Sequence, residues 1–221
     1  EGIVEQVYVI GCLSQRYGAE LQEEIPEVDA FFGKFDWKGV LERMGEHFDE
    51  RIRNQRVLTT PDHYAYLKIS EGCDRRCSYC AIPIMTGKHK SRDFEELLEE
   101  CRALVKGGVK EILVVAQDLT YYGIDLYGKN RLAELIGRIA DIEGLEWIKL
   151  HYAYPAGFPL ELLTVMRERP NVCKYLDIAL QHCSDHMLQQ MRRGISKKQT
   201  IELIRKIRQE VPGIFIRTTL M

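Results

Sequence analysis

The chain has 221 residues, 45% hydrophobic and 29% charged, with a formal net charge of −2. That length and balance suit an ordinary folded protein of one large domain, or one domain and part of another. They give no basic nucleic-acid footprint over the whole surface, no apolar run near the roughly 18 residues of a membrane span, and no visible signal peptide.

The hydrophobic pattern begins with a short buried strand at residues 5–10, ending at Gly11. Cys12 follows at once and opens the helix-like stretch SQRYGAELQ. In open α/β folds, ligands gather at the C-terminal ends of strands. Residues 28–32 read as a strand and 37–44 as a helix. The basic run 51–56, RIRNQR, lacks a core pattern and reads as a linker closed by TTP at 59–61. Residues 1–56 are therefore expected to be the C-terminal part of an α/β domain plus linker.

From residue 57 onward a second domain is expected. A strand at 66–70 precedes a helix starting near Asp93, which with Glu96 fits a capping box. Its apolar positions Phe94, Leu97, Leu98, Cys101, Leu104 and Val105 share one helical face, and Gly107-Gly108 ends it. Strands follow at 112–116, 147–152, 175–180 and 214–220. Helices fall at 132–139, 160–167, 184–193 and 196–210, with stops at Pro170, Gly194 and Pro212-Gly213. This alternation is the mark of right-handed parallel βα units. A strand at the very C-terminus, read as buried, has no following helix, and the chain starts at Glu1. Both features suggest a fragment lacking its two ends, with the barrel cut before its last strand.

The sequence holds seven cysteines, an odd number, without the spacing of a secreted disulfide framework. A reducing, cytoplasmic setting fits better. Three of them form EGCDRRCSYC: Cys73, Cys77 and Cys80, spaced C-x3-C-x2-C directly after a strand. Three thiolates on a cluster of four irons leave one iron open to chelate a small molecule, as an open zinc position takes substrate. The loop falls where βα barrels place their active sites. The competing reading is a Cys3His zinc site with His89 as the fourth ligand, a non-catalytic metal-binding module.

C-x3-C-x2-C with Tyr79 before the last cysteine resembles the radical S-adenosylmethionine superfamily. The longer stretch HYAYLKISEGCDRRCSYCAIPIMTGKHKSR, residues 63–92, resembles its methylthiotransferases. The resemblance implies a partial TIM-like radical SAM barrel and a 4Fe–4S cluster on Cys73, Cys77 and Cys80 that binds S-adenosylmethionine. It also implies a second 4Fe–4S cluster, for which Cys12 in IGCLSQRYGAEL would be the last of three ligands, its partners lying upstream. VAQDLTYYGIDLYG (115–128), HYAYPAGF (151–158) and LDIALQHCSDHMLQQMRRG (176–194) resemble the RimO-type branch. Its members add a methylthio group to the β-carbon of an aspartate in a small-subunit ribosomal protein, the twelfth. Gln181-His182-Cys183 stands where the tRNA adenosine (MiaB-like) branch usually has Gln-Ser-Gly. The implied mechanism uses two molecules of S-adenosylmethionine, one methylating sulfur on the second cluster and one giving the radical. An external electron donor is implied, and the substrate would be met in the ribosome or an assembly intermediate.

Further candidates surround this motif. Tyr79 is expected to pack beside the cluster. Gln117 and Asp118 at the end of the second strand would contact S-adenosylmethionine or substrate, or cap a loop. Gln181 would lie near the ribose. Arg192 or Arg193 would pair with the methionine carboxylate. Thr218 and Thr219 point to opposite sides of the last strand, one toward the cavity. His182 and His186 read as structural and Cys101 as core, while Cys173 and Cys183 suit core or rim. Lys88-His89-Lys90 with Arg92, and 192–198, are local basic stretches that suit a charged surface or contact with ribosomal RNA.

Overall fold

The structure is a computed structural model that describes residues 3–34, 36–47 and 56–221. The chain divides into two compact units: Glu1–Arg56 with Ala81–Gly87, and Val57–Cys80 with Lys88–Met221. The inclusion of Ala81–Gly87 in the first unit has no signal in the sequence pattern.

In the first unit, β1 (Tyr8–Gly11) leads directly into α1 (Cys12–Glu24). Gly11 makes this junction at φ +143°, a conformation that side-chain-bearing residues rarely adopt. β2 (Ala30–Gly33) runs parallel to β1, with Tyr8 opposite Ala30. α2 (Trp37–Arg43) is capped by the Asp36 carboxylate, which accepts from Gly39 N at 3.1 Å. α3 (Ile82–Thr86) packs against α1. The linker read at 51–56 lies outside the described residues apart from Arg56.

The second unit is built on β3 (Tyr64–Lys68), β6 (Glu111–Val115), β7 (Trp147–Ala153), β8 (Val172–Ile178) and β9 (Phe215–Arg217), all parallel and in that order. Neighbouring strands follow one another in sequence, with at least one helix in each connection, the organisation of βα units. The expected strand at 66–70 is split. After β3 the chain bends, and β4 (Ser70–Glu71) pairs antiparallel with β5 (Lys90–Ser91). The helices are α4 (Phe94–Lys106), α5 (Ile124–Tyr127), α6 (Leu132–Ala140), α7 (Glu161–Glu168), α8 (Asp185–Gln190) and α9 (Lys197–Glu210).

Alternation along the strands sorts the sheet into two faces. Ala65, Leu67, Ile112, Val114, Ile148, Leu150 and Leu176 are buried in the core with Leu97, Leu98, Cys101, Leu135, Ile136 and Leu163 of the helices. Each buried Leu, Ile or Val among them contributes about 1.5–3 kcal/mol by leaving water. The other face carries Tyr66, Glu111, Lys149, His151, Tyr175, Asp177, Phe215 and Arg217, a polar and aromatic set. On β9, Phe215 is 76% exposed. Among the described residues the strand is the outermost of its sheet and pairs with β8.

The helix starts follow from capping. Asp93 accepts from Glu95 N and Glu96 N at 2.9 and 3.1 Å. The reciprocal capping box forms instead at Ser196 and Gln199, at the start of α9. Among the described residues no helix is long and apolar enough to cross a membrane.

Candidate functional site: a cysteine loop at the mouth of a parallel sheet

β3 and β4 deliver the segment Cys73–Cys80 to the C-terminal edge of the second unit's sheet. The residues between the cysteines fasten this loop. Arg75 donates through Nε to Asp118 Oδ2 at 2.9 Å and through Nη2 to Ala156 O at 3.1 Å. Its guanidinium also lies 4.2 Å from the Tyr154 ring centre. Asp74 Oδ1 accepts from His89 N at 3.0 Å. Ser78 donates through Oγ to Gln190 O at 2.9 Å, and its N–H donates to Met191 O at 3.2 Å, both at the end of α8. Cys80 N closes on Cys77 O at 3.1 Å, the turn that a C-x2-C spacing makes.

All three thiols are free. Cys73 is buried, and burial pushes its thiol up to about 11. The neutral thiol is therefore favoured until a cation takes the proton's place. N–H groups already point at the sulfurs. Arg75 N approaches Cys73 Sγ at 3.4 Å, and Arg193 Nη1 approaches Cys77 Sγ at 3.2 Å. Tyr154 Oη stands 3.7 Å from Cys77 Sγ and donates to Arg193 O at 2.7 Å. A thiolate with N–H donors is the environment of a sulfur that ligates iron and shares charge with it.

Arg193 is 3% exposed and is the residue that the sequence reading weighed against Arg192. Arg192 is exposed and holds φ +55°. Arg193 turns inward. It bonds Tyr79 Oη at 3.2 Å as well as Cys77, donates to Ala179 O, and stacks 4.1 Å from the Tyr154 ring centre. Tyr79 thus stands beside Cys77, as its position before the third cysteine suggests. Burial is the largest influence on its phenol, which is pushed up to about 12.

Asp118 is 2% exposed, and both its oxygens are engaged. Oδ1 accepts from Thr120 N at 2.9 Å and Thr120 Oγ1 at 2.6 Å, while Oδ2 holds Arg75. It is a loop cap and an anchor for the cysteine segment. Gln117 donates to Glu71 Oε2 at 3.2 Å. The amide oxygens of Gln117 and Gln181 are buried and without a hydrogen-bond partner. Such acceptors cost free energy unless a donor meets them. Gln181 also holds φ +71°. Thr218 Oγ1 accepts from Leu180 N at 3.2 Å, which ties the end of β9 to the loop after β8.

Two further features have no pattern-level signal. Tyr152 sits at φ +68°, and the β7–β8 register shifts around it between Leu150 and Ala153. A bulge of this kind re-aims the side chains that follow it. Here it precedes Tyr154, the residue at Cys77. His89 is buried, with Nε2 3.1 Å from Ser91 Oγ and 3.9 Å from Asp125 Oδ1. A zinc ion needs its ligands at about 2.0–2.3 Å. Among the described residues no three His, Cys, Asp or Glu side chains converge in that way, and the Cys3His reading gains no support.

Comparison with known proteins matches residues 67–221 to the Radical SAM superfamily. The chain belongs to that superfamily. Over 220 residues, all of this chain and 51% of the relative, it is 64% identical to the ribosomal protein uS12 methylthiotransferase RimO of Porphyromonas gingivalis. It is 65% identical over 221 residues to the protein of the same name in Bacteroides fragilis, again 51% of that protein. The chain therefore spans about half the length of these curated relatives. Among solved structures, the cobalamin-dependent S-adenosylmethionine radical enzyme OxsB, with aqua-cobalamin and S-adenosylmethionine bound, matches with a TM-score of 0.66 at 14% identity. That match covers 97% of this chain and 36% of OxsB, and it shows the shared radical SAM fold.

The sequence motif marked Cys73, Cys77 and Cys80 directly. It did not mark Arg75, Ser78, Tyr154 or the choice of Arg193. Arg75 and Ser78 lie inside the motif as its variable positions. The Tyr154 signal was the stretch HYAYPAGF, which the sequence reading used for resemblance and not for contact.

Proposed function

We propose that this chain carries the radical-generating part of a RimO-type methylthiotransferase, which adds a methylthio group to an aspartate β-carbon of ribosomal protein uS12. The observation that carries this reading is identity of 64–65% to curated uS12 methylthiotransferases along the whole chain. In this reading Cys73, Cys77 and Cys80 hold a 4Fe–4S cluster. When bound, that cluster with S-adenosylmethionine supplies a carbon radical able to take hydrogen from an unactivated C–H bond.

The chain's own residues have definable tasks. Arg75 and Asp118 fix the cysteine loop against the sheet. Arg193 gives a hydrogen bond to Cys77 and brings positive charge to a site that gains an electron, while Tyr154 packs beside the sulfur and holds Arg193 through its backbone carbonyl. Tyr79, held by Arg193, walls the site. Gln117 and Gln181 offer unpartnered amide oxygens at the mouth, suited to donors of S-adenosylmethionine such as ribose hydroxyls or the amino group. Cys12, at the first residue of α1, is a ligand of the second cluster of the methylthiotransferases. The setting is cytoplasmic, with an external electron donor and a ribosomal or pre-ribosomal substrate.

The test is anaerobic turnover of the full-length protein with S-adenosylmethionine, reductant and purified uS12, read by mass spectrometry of uS12 peptides and of tRNA nucleosides. A methylthio increment on one aspartate is expected. The same increment on tRNA adenosine, with uS12 unmodified, would move the protein to the other branch and overturn the proposal.

A further inference from the structure

The sheet face opposite the helical core carries an ion cluster that the cysteine site does not use. Asp177 on β8 lies directly opposite Arg217 on β9, and Arg217 Nη1 donates to Asp177 Oδ2 at 2.6 Å. His151 on β7 brings Nδ1 to 3.8 Å from the same oxygen and stacks against Tyr175, ring centres 5.8 Å apart. Tyr175 stands two residues before Asp177, on the same face of β8. Asp177 is 5% exposed, whereas the Arg217 side chain is 62% exposed.

This arrangement is asymmetric. The carboxylate is buried and held from two sides, while the guanidinium it fixes opens outward. A guanidinium has five N–H donors. With Nη1 on Asp177, the remaining donors suit a planar anion in the paired geometry that Arg makes with carboxylates.

The position suits a substrate as well. Two residues beyond Asp177, Ala179 O accepts from Arg193, which touches Cys77. At roughly 3.3 Å per residue, the Asp177–Arg217 pair lies about 7 Å along the strand from that anchor, on the open face. A side chain reaching from the mouth to Arg217 would thus pass close to the cysteine loop.

We propose that Arg217, oriented by Asp177, is a specificity-determining residue that takes the side-chain carboxylate of the substrate aspartate. The inference rests on the methylthiotransferase reading above and deepens it. Arg217 binds the carboxylate and presents the neighbouring β-carbon to the radical site. Asp177 acts through Arg217 and is a positioning residue.

The test is a double-mutant cycle on the full-length, iron-loaded protein. Affinity is measured for purified uS12 with its native aspartate and with that residue changed to asparagine. The unsubstituted enzyme should favour the aspartate form. Arg217→Met should weaken binding of the aspartate form about 10- to 100-fold, the range for a charged hydrogen-bonded pair, and leave the asparagine form nearly unchanged. Arg217→Lys should retain part of the preference. A purely structural Arg217 would weaken both forms equally, and Arg217→Met keeping the full preference would overturn the inference alone. If the unsubstituted enzyme binds neither form and modifies no uS12, the functional reading falls and takes this inference with it.

Discussion

Replacing Arg75 by Met removes the main clamp on the cysteine loop. Two hydrogen bonds from a charged donor are lost, to Asp118 Oδ2 at 2.9 Å and to Ala156 O at 3.1 Å. Asp118 stays buried, with only Thr120 to satisfy it. Bonds to charged groups contribute about 1.5–3 kcal/mol each, and a broken buried pair costs about 3–5 kcal/mol. The Arg75 side chain is 24% exposed, so water recovers part of this. The expected net loss is about 3 kcal/mol. At about 2–4 °C per kcal/mol for a domain of this size, that is a fall in Tm of about 6–12 °C. The assay is thermal unfolding of Arg75→Met, Asp118→Asn and the double variant, with iron counted per chain after reconstitution. The double variant should be less destabilised than the sum of the singles, because the orphaned carboxylate is gone. Arg75→Met within 1 °C of the parent protein, with full iron content, would refute the reasoning.

Arg193→Gln removes a cation 3.2 Å from Cys77 Sγ, and the reduced cluster should be harder to form. At a fixed potential its reduced fraction relative to oxidised should fall about tenfold, equivalent to about 59 mV for one electron, as followed by electron paramagnetic resonance. Asp93→Ala should cost about 1 kcal/mol in denaturant unfolding at neutral pH, since it uncaps α4. The N–H of Glu96 foremost holds the Asp93 carboxyl below its usual range. Its contribution is therefore present above the unfolded value of about 3.9 and is lost as pH falls through the lower folded value. Burial chiefly holds His89 below the ordinary histidine value. The unfolded chain then binds a proton that the folded chain refuses, so stability is full above about pH 6.5 and declines below it. His89→Gln should flatten the stability difference between pH 7 and pH 5, and an unchanged slope would count against this role.

The second unit's βα order was legible because the strands set buried apolar residues at alternate positions and the helices repeat theirs at 3.6 spacing. The helix α6 shows this well: Leu132, Leu135, Ile136 and Ile139 are all fully buried. Strand ends were less legible. β8 begins at Val172, three residues before the expected Tyr175, because pairing with Ile148 draws the chain in early. Ser70 left the predicted strand because its partner is Ser91, a contact that no local pattern encodes.

At the site, the cysteines were legible because their chemistry fixes residue type and spacing. Their supports were not. Arg75 could have been any surface arginine until the fold brought Asp118 beside it, 43 residues away in sequence. Arg192 and Arg193 were indistinguishable until the turn after α8 put Arg192 at φ +55° and sent its neighbour inward. Tyr154 meets Cys77 across 77 residues of sequence, just after the strand bulges near Tyr152.

The central claim is that Cys73, Cys77 and Cys80 hold a cluster that cleaves S-adenosylmethionine. The measurement that tests it most directly is anaerobic iron–sulfur reconstitution of the full-length protein and of its Cys77→Ala variant. Iron is counted, and 5′-deoxyadenosine is assayed after dithionite and S-adenosylmethionine are added. The account predicts 5′-deoxyadenosine from the parent protein, and in Cys77→Ala both a loss of about one cluster's iron and no 5′-deoxyadenosine. Zinc in place of iron at these cysteines, with no 5′-deoxyadenosine from the parent protein, would contradict it.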